Sequence, residues 1–282
     1  MTDHVRGEVL DQLEALAAQA AVACGRFIVD DRPPSVEVAG TKSSPTDVVT
    51  EMDRAGETLI HSLIRAARPH DGILGEEGSD VVGDSGITWV VDPIDGTVNY
   101  LYDIPAYAVS VAAVVGSPTT PGSWRPLAGA VYNPVLDELY LASRGRGATL
   151  ESGGARRRLE IQDVPASQAL IATGFNYDAS TRQWQGGLLA EILPHVRDVR
   201  RLGSAALDLC HVASGRVNAS YESRLNSWDI AAGWLVVEEA GGVVRGLDGA
   251  APSPDLVMAG PERLVDDLAR IVMPATRQAP TP

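Results

Sequence analysis

The stretch from Trp89 to Thr97, which reads Trp-Val-Val-Asp-Pro-Ile-Asp-Gly-Thr, constrains the fold more than any other part of the chain. Apolar and β-branched residues run from Ile87 to Val91, which predicts a strand covered on both faces. Pro93 has no N–H and is expected to stop the strand's hydrogen-bond ladder. A buried strand that ends abruptly in polar residues is therefore expected here.

Two acids follow this strand, Asp92 and Asp95, with the carbonyl of Ile94 between them. The dipeptide Asp95-Gly96 is a turn signal, so both carboxylates are expected at the mouth of the strand. Oxygen ligands of this kind suit a hard cation such as Mg²⁺. The same segment is also compatible with an ordinary strand-to-turn junction whose acids are solvated.

The charge of the chain limits what it binds. With 23 Lys and Arg against 37 Asp and Glu, the net charge is −14, which disfavours nucleic acid and anionic membranes as direct partners. An anionic substrate would be repelled as well, unless bound cations reverse the local sign. No apolar run reaches the roughly 18 residues of a membrane span, and residues 1–14 lack a signal-peptide core. We therefore expect a cytoplasmic protein, and two cysteines predict no disulfide framework.

The first half of the chain predicts helices followed by an antiparallel sheet. Apolar residues recur every three or four positions from Val5 to Phe27, which predicts a long helix. Thr50-x-x-Asp53 is a capping-box pattern that predicts the start of a second helix, ending before Pro69. Further strands are predicted at 73–74, 107–115, 127–132 and 138–142, with an exposed hairpin loop over 116–126.

The second half alternates strands and helices, which is the pattern of an α/β fold. Strands are predicted at 169–173, 199–202, 219–222, 243–244 and 256–259, and helices at 182–193, 205–213, 229–240 and 261–272. We expect one domain with an α+β part over about 1–145 and an α/β part over 146–273. Residues 274–282 are expected to form a disordered tail.

Seven acids fall at predicted strand ends or helix starts. Each alone has an ordinary explanation: it could be a solvated acid in a turn or the cap of a helix. An acid predicted as the first residue of a helix could simply be stabilised by the helix dipole. Taken together they form a pattern in order, spacing and flanking residues. They are Asp47, Asp53, Glu76, Glu77, Asp92, Asp95 and Asp229.

With these acids and their neighbours the chain resembles the inositol monophosphatase family of metal-dependent, lithium-sensitive phosphatases, over the first helix to Gly242. The Asp-Pro-Ile-Asp-Gly-Thr and Trp-Asp elements are the most specific, and the stretch from Gly203 is similar to bacterial members. The matching segments are Lys42–Asp47, Gly75–Glu77, Asp92–Thr97, Gly203–Ala206 and Trp228–Gly233. The resemblance implies a layered α-β-α-β-α sandwich, a homodimer and inhibition by lithium.

The resemblance also implies roles for individual residues. Glu76, Asp92 and the Ile94 carbonyl would hold one Mg²⁺, and Asp92, Asp95 and Asp229 a second. A weaker third ion would be reached by Glu76 through water, giving roughly two to three ions per subunit. The implied catalytic residues are Asp53, Thr97 and Glu76, with Asp53 and Thr97 orienting the attacking water and Asp47 and Glu77 in support.

The substrate residues are implied in the same way. The backbone N–H groups of Gly96 and Thr97 would bind the phosphate, while Ser204 and Ala205 would line the sugar side. Glu222 would accept a hydrogen bond from a ring hydroxyl; its other explanation is a solvated acid at the end of a strand.

The resemblance implies Mg²⁺-dependent hydrolysis of a small phosphate monoester, inositol 1-phosphate, by metal-activated water. Such chemistry requires charge neutralisation rather than a nucleophilic Cys or Ser. The alternatives with the same chemistry are fructose 1,6-bisphosphatase, histidinol-phosphatase and a nucleotide 3′-phosphatase. A bisphosphate would require basic groups beside the pocket, for which Arg200, Arg201 and Arg224 are candidates. The alternative outside enzymology is a non-catalytic partner of transcription complexes.

Overall fold

The computed structural model describes residues 7–41 and 48–276. The predicted polar loop over 42–47, and with it Asp47, lies outside the described residues. Within them the α-helices are α1 (Gly7–Asp30), α2 (Glu51–Ala67), α3 (Thr97–Leu101), α4 (Ala179–Ile192), α5 (Ala205–Ser214), α6 (Ser227–Glu239) and α7 (Glu262–Thr276). None of these helices is both long enough and apolar enough to cross a membrane.

The strands of the same residues form two large sheets and one two-stranded ribbon. They are β1 (Gly40–Thr41), β2 (Val48–Val49), β3 (Gly72–Gly75), β4 (Ile87–Asp95), β5 (Ala108–Gly116), β6 (Trp124–Asn133), β7 (Glu138–Ser143), β8 (Gly147–Ser152), β9 (Ala155–Arg158), β10 (Leu170–Thr173), β11 (Asp198–Arg200), β12 (Ala219–Glu222), β13 (Val243–Arg245) and β14 (Val257–Gly260).

The first sheet has seven strands in the order β3-β4-β5-β6-β7-β8-β9. The predicted meander is confirmed for β5, β6 and β7, but β3 pairs with β4 in parallel, so the sheet is not wholly antiparallel. The sheet continues through β8 and β9 to Arg158. The first half of the fold therefore extends past the boundary predicted at residue 145.

The second sheet has five strands in the order β11-β10-β12-β14-β13. β10 is parallel to both of its neighbours, whereas β14 is antiparallel to β12 and β13. This is the mixed sheet expected for an α/β half. Because β10 and β12 are parallel, their carboxyl ends lie at the same edge of the sheet.

The helices and the two large sheets alternate in five layers. α1 and α2 share one apolar core with one face of the seven-stranded sheet. α5 and α6 pack on its other face and contribute to the core between the two sheets. α4 and α7 pack against each other and share the third core with β10, β12 and β14. The predicted α-β-α-β-α sandwich is confirmed.

Strand β4 departs from the prediction at Pro93. The ladder with β5 does not end there: it passes from the pair Asp92–Ser110 to the pair Asp95–Ala108, so three steps along β4 match two along β5. The missing N–H of the proline is accommodated by this irregularity, which bends a strand and redirects its side chains. Asp92 and Asp95 lie on either side of it.

Close packing between α6 and the first sheet brings the start of α6 to the end of β4. A Cβ on Gly129 of β6 would lie 3.1 Å from the Cα of Ala232, so a larger residue would push α6 away. Near the helix start, the Ser110 hydroxyl of β5 donates to the Trp228 carbonyl at 3.2 Å. Since Ser110 pairs with Asp92, these contacts bring Asp229 to the acids of β4.

Two predicted boundaries are wrong. The hairpin loop is shorter than expected, because β6 already begins at Trp124, whose ring is buried edge-on against Trp234 at a centroid distance of 5.0 Å. Helix α7 continues to Thr276, so its end overlaps the predicted tail; residues 277–282 lie outside the described part.

Candidate active site

A cavity of about 430 Å³ lies between the end of β4 and the elements of the second half. Ten of the residues predicted as metal ligands, catalytic residues or substrate contacts line it. They are Glu76, Asp92, Ile94, Asp95, Gly96, Thr97, Ser204, Ala205, Glu222 and Asp229. Asp53 does not line the cavity but lies buried behind Thr97. The structure therefore brings the predicted set together, while the role of each residue stays a prediction.

The start of helix α5 holds Asp95. One carboxylate oxygen of Asp95 accepts the hydroxyl hydrogen of Ser204 at 2.6 Å and the N–H of Ala206 at 2.7 Å. Ser204 is the N-cap of α5, and its hydroxyl also accepts the N–H of Leu207 at 3.3 Å. A buried acid at a helix N-terminus is stabilised by the unpaired N–H groups there. This links the end of β4 to the second half of the fold.

Asp229 and Asp92 are held by short-range backbone hydrogen bonds. Asp229 is the third residue of α6 and not the first, as the sequence pattern had suggested; it accepts the N–H of the N-cap Asn226 at 2.6 Å in a capping box. Asp92 accepts the N–H of Ile94 at 2.9 Å across Pro93. In both residues one carboxylate oxygen is thereby fixed in position.

The three aspartates converge on one point. One carboxylate oxygen from each of Asp92, Asp95 and Asp229 lies within 4.8 Å of the others. Glu76 lines the same cavity, where its charge adds to the rise that burial causes in the pKa of Asp92. An all-oxygen set of this kind fits a hard divalent cation such as Mg²⁺.

Thr97 joins the cavity to a buried acid on α2. Its hydroxyl lies 3.1 Å from Asp53 Oδ1 and 3.1 Å from the Ile94 carbonyl, and can donate its hydrogen to either. Asp53 also forms the predicted capping box of α2, accepting the N–H of Thr50 at 2.8 Å and its hydroxyl at 2.5 Å. The capping role and the contact with Thr97 are thus compatible, because they use different oxygens.

Burial and mutual repulsion raise the pKa values of these carboxyl groups. Burial raises the pKa of Asp92 well above its usual value, and the neighbouring charges of Glu76, Asp95 and Asp229 raise it further. The pKa of Asp229 is raised for the same reasons. The pKa of Asp95 rises only to about 6, because the hydrogen bonds from Ser204 and α5 favour its charged form.

Glu222 lies at the edge where β10 and β12 end. It is the last residue of β12 and lies against Gly174, which follows β10; a side chain on Gly174 would clash with its carboxylate. Burial, together with the charges of Asp208 and Asp95, raises the pKa of Glu222 to about 8, and Arg201 opposes the rise. Glu222 is therefore a cavity acid, not the solvated strand end that was its alternative explanation.

The sequence reasoning missed Asp208. This residue lies in the first turn of α5, is 3% exposed and lines the cavity, and its Oδ1 atom has no hydrogen-bond partner among the described residues. Burial raises its pKa well above the usual value. An acid inside the otherwise apolar run from Ala205 to Cys210 was the signal that could have found it.

The basic candidates divide into two groups. Arg201 and Arg224 line the cavity. Arg200 does not; its guanidinium pairs with Asp198 at 2.7 Å on the exposed edge strand β11. The predicted supporting acid Glu77 is linked to helix α2 through its backbone: its N–H donates to the Glu57 carboxylate at 2.9 Å.

The chain is similar to known proteins over most of its length. The model of the inositol monophosphatase family matches residues 9–277. The Mycobacterium tuberculosis protein named inositol-1-monophosphatase SuhB is 46% identical over 234 residues, covering 80% of this chain and 78% of that relative. A Pasteurella multocida protein named Nus factor SuhB is 37% identical over 264 residues, covering 92% and 95%. The crystal structure of extragenic suppressor protein SuhB from Bartonella henselae superposes with a TM-score of 0.81 at 34% identity, covering 92% of this chain and 97% of that one.

The raised pKa values predict that the metal-free protein loses stability as the pH rises from about 6.5 to 8.5. Glu222, Asp92 and Asp229 bind protons more tightly folded than unfolded, so their contribution is complete below the unfolded pKa and is lost above the folded one. His211, with its pKa lowered to about 4, acts in the opposite sense but only below this range. Thermal melts in a chelator should therefore give a lower Tm at the higher pH.

Two comparisons make this measurement specific. Glu222→Gln removes one of the titrating groups, so its Tm should fall less over the same pH range. Saturating Mg²⁺ should raise the Tm most at high pH, where the carboxyls are ionised. A metal-free Tm that is flat or rises with pH would contradict the raised pKa values.

Proposed function

Because the chain belongs to the inositol monophosphatase family, we propose that it hydrolyses a phosphate monoester with Mg²⁺ as cofactor and that its substrate is inositol 1-phosphate. The observation that carries the proposal is the convergence of Asp92, Asp95 and Asp229 in the wall of one cavity. The choice of alcohol is supported by the name of the Mycobacterium tuberculosis relative and by the half-buried acid Glu222 in the same cavity.

The acids divide into two metal-binding sets that share Asp92. Glu76, Asp92 and the Ile94 carbonyl would hold one Mg²⁺, and Asp92, Asp95 and Asp229 a second, with roughly two to three ions per subunit in all. Bound there, the ions would polarise a phosphoryl oxygen, lower the pKa of water and stabilise the leaving alkoxide. The carboxylates would then be charged, and the cations would offset their mutual repulsion.

Thr97 and Asp53 would orient the attacking water. With the Thr97 hydroxyl donating to Asp53 Oδ1 at 3.1 Å, the lone pairs of that hydroxyl are free to accept a hydrogen bond from water in the cavity. Asp53 is fully buried and fixed by Thr50, so the acceptor of the Thr97 hydroxyl is held in place. The pair would thus move a proton away from the water as it attacks.

The phosphate would be bound beside Gly96 and Thr97, through their backbone N–H groups. Gly96 has a φ of 101°, and a Cβ there would lie 3.0 Å from the Ala106 carbonyl oxygen and 3.1 Å from that of Gly203. Any other residue would be strained and would push these segments apart. This wall of the cavity therefore needs a glycine.

The alcohol would lie on the side of Glu222, Ser204 and Ala205. Because the Ser204 hydroxyl donates its hydrogen to Asp95, it could only accept a hydrogen bond from the substrate. Glu222 would also act as an acceptor when ionised. Both groups therefore favour a leaving group that carries hydroxyl hydrogens.

A bisphosphate is the second candidate substrate. Its second phosphate would need positively charged groups beside it, and both Arg201 and Arg224 line the cavity. A role in a transcription complex is the candidate outside enzymology, and the name of the Pasteurella multocida relative favours it. The homodimer, the cytoplasmic location and the lithium sensitivity stay predictions.

Asp229→Asn should lower phosphate release roughly 10²-fold or more at ordinary Mg²⁺, because it removes one anionic ligand and even an outer-shell partner of a metal contributes a factor of about 10–100. The metal-free protein should keep or raise its Tm, since the change also relieves repulsion in the cavity. We would measure phosphate release over a Mg²⁺ titration with inositol 1-phosphate, fructose 1,6-bisphosphate, histidinol phosphate and 3′-phosphoadenosine 5′-phosphate. Asp255→Asn, the same change at an exposed position outside the cavity lining, is the matched control.

The panel separates the candidates. A clear preference for inositol 1-phosphate supports the proposal, and a preference for fructose 1,6-bisphosphate supports the second candidate. Full activity of Asp229→Asn at ordinary Mg²⁺ would show that Asp229 is not a required metal ligand. An inactive wild-type protein that nonetheless binds Mg²⁺ would leave the transcription role as the better explanation.

Glu222→Gln should change substrate preference and not the chemical step. The amide oxygen can still accept a hydrogen bond, but a bond to a charged group contributes about 1.5–3 kcal/mol and one to a neutral group about 0.5–1.5 kcal/mol, so kcat/KM for inositol 1-phosphate should fall roughly five- to tenfold. Glycerol 2-phosphate, which lacks the ring, should be affected little. The exposed Glu191→Gln is the control. An equal loss on both substrates would show that Glu222 acts on the metals or on the fold.

A further inference from the structure

A buried acid on α2 contacts the segment that carries Glu76. Glu57 is 1% exposed and lies one helical turn after Asp53, on the same face of the helix. Its carboxylate accepts the N–H of Glu77 at 2.9 Å, the N–H of Ser79 at 3.3 Å and the hydroxyl hydrogen of Ser79. One side chain thus binds three donors in the turn that immediately follows β3.

This turn is attached to the sheet as well as to the helix. The N–H of Glu76 donates to the Val91 carbonyl of β4 at 3.3 Å, next to Asp92. Gly75 lies directly against Glu57, so that any side chain there would clash with the carboxylate. Glu76 therefore stands between two fixed neighbours, a glycine packed on Glu57 and a residue whose N–H is bonded to it.

Helix α2 connects two parts of the candidate site. Asp53 contacts the Thr97 hydroxyl at 3.1 Å, and Glu57 binds the turn of Glu76. The start of the helix is fixed by the capping box with Thr50. Since both acids project from one rigid turn of helix, the helix sets the position of the Glu76 turn relative to Thr97.

We propose that Glu57 is a positioning residue for the metal centre: it holds the turn so that Glu76 reaches the cation beside Asp92. The inference rests on the proposed function, because it takes Glu76 as a ligand of Mg²⁺. Glu57 itself does not line the cavity. Its loss should therefore weaken metal binding more than it affects the bound substrate.

Glu57→Gln tests the proposal with little change of shape. The amide oxygen can accept one N–H, but the amide NH₂ must then face a donor of the turn, which moves the turn away. Removal of such supporting hydrogen bonds lowers metal affinity by roughly 10–100-fold, and we expect a loss of that size. Isothermal titration of the metal-free protein with Mg²⁺ alone, in the absence of substrate, measures it.

The control is Glu51→Gln, the same change on the same helix at an exposed position paired with Arg54. Its Mg²⁺ affinity should equal that of the wild type. Ser79→Ala removes one of the three donors and should weaken Mg²⁺ binding in the same direction by a smaller factor. At saturating Mg²⁺, the KM of Glu57→Gln for inositol 1-phosphate should match the wild type.

The outcomes separate this inference from the proposed function. If Glu57→Gln melts like the wild type and binds Mg²⁺ as tightly as Glu51→Gln, the positioning role is wrong even if the wild type hydrolyses inositol 1-phosphate. If Glu57→Gln fails to fold, the test rests on Ser79→Ala: an unchanged Mg²⁺ affinity in that variant overturns the positioning role. If the wild type hydrolyses none of the phosphates but Glu57→Gln binds Mg²⁺ more weakly, the proposed function fails and the positioning role stands.

Discussion

Repulsion between carboxylates buried together at the end of β4 is the constraint on which the rest of the structure depends. Each aspartate of the cluster is kept in place by an N–H group: Ile94 for Asp92, Ala206 for Asp95 and Asn226 for Asp229. Two of these donors belong to the starts of α5 and α6, the helices between the sheets. The middle layer therefore stabilises the acids as well as separating the sheets, and neither half of the chain could form the site alone.

Much of this arrangement could be predicted from the residues. The apolar run before Asp92, the capping box from Thr50 to Asp53 and the spacing of the meander are local signals, and each has the predicted structure. The residues of the cavity were found because their order matches a family pattern, not because any one of them is distinctive. Local sequence patterns thus predicted the helices and strands, whereas the family resemblance predicted how they assemble.

The rest depends on contacts that a sequence does not display. The bond between Ser204 and Asp95 joins residues 109 positions apart, and the Asn99 side chain bonds Leu202 across 103 positions. The edge strand β9 was missed because it is exposed at every position and has no alternation of burial. Asp208 was missed because a single acid in an apolar helix has no recognisable spacing.

The edge where β10 and β12 end has a consequence for how such a protein can diversify. Glu222 and Gly174 lie at the carboxyl ends of two parallel strands of the second sheet, whereas Asp92 and Asp95 belong to the first. Under the proposed assignment, the first sheet supplies the phosphate contacts and most ligands of the cations, with Asp229 added from α6, whereas the second sheet supplies Glu222 for the leaving alcohol. Inherited substitutions around Glu222 and Gly174 could then exchange one alcohol for another while the hydrolytic chemistry is preserved, so that a lineage acquires new substrates without passing through an inactive ancestor.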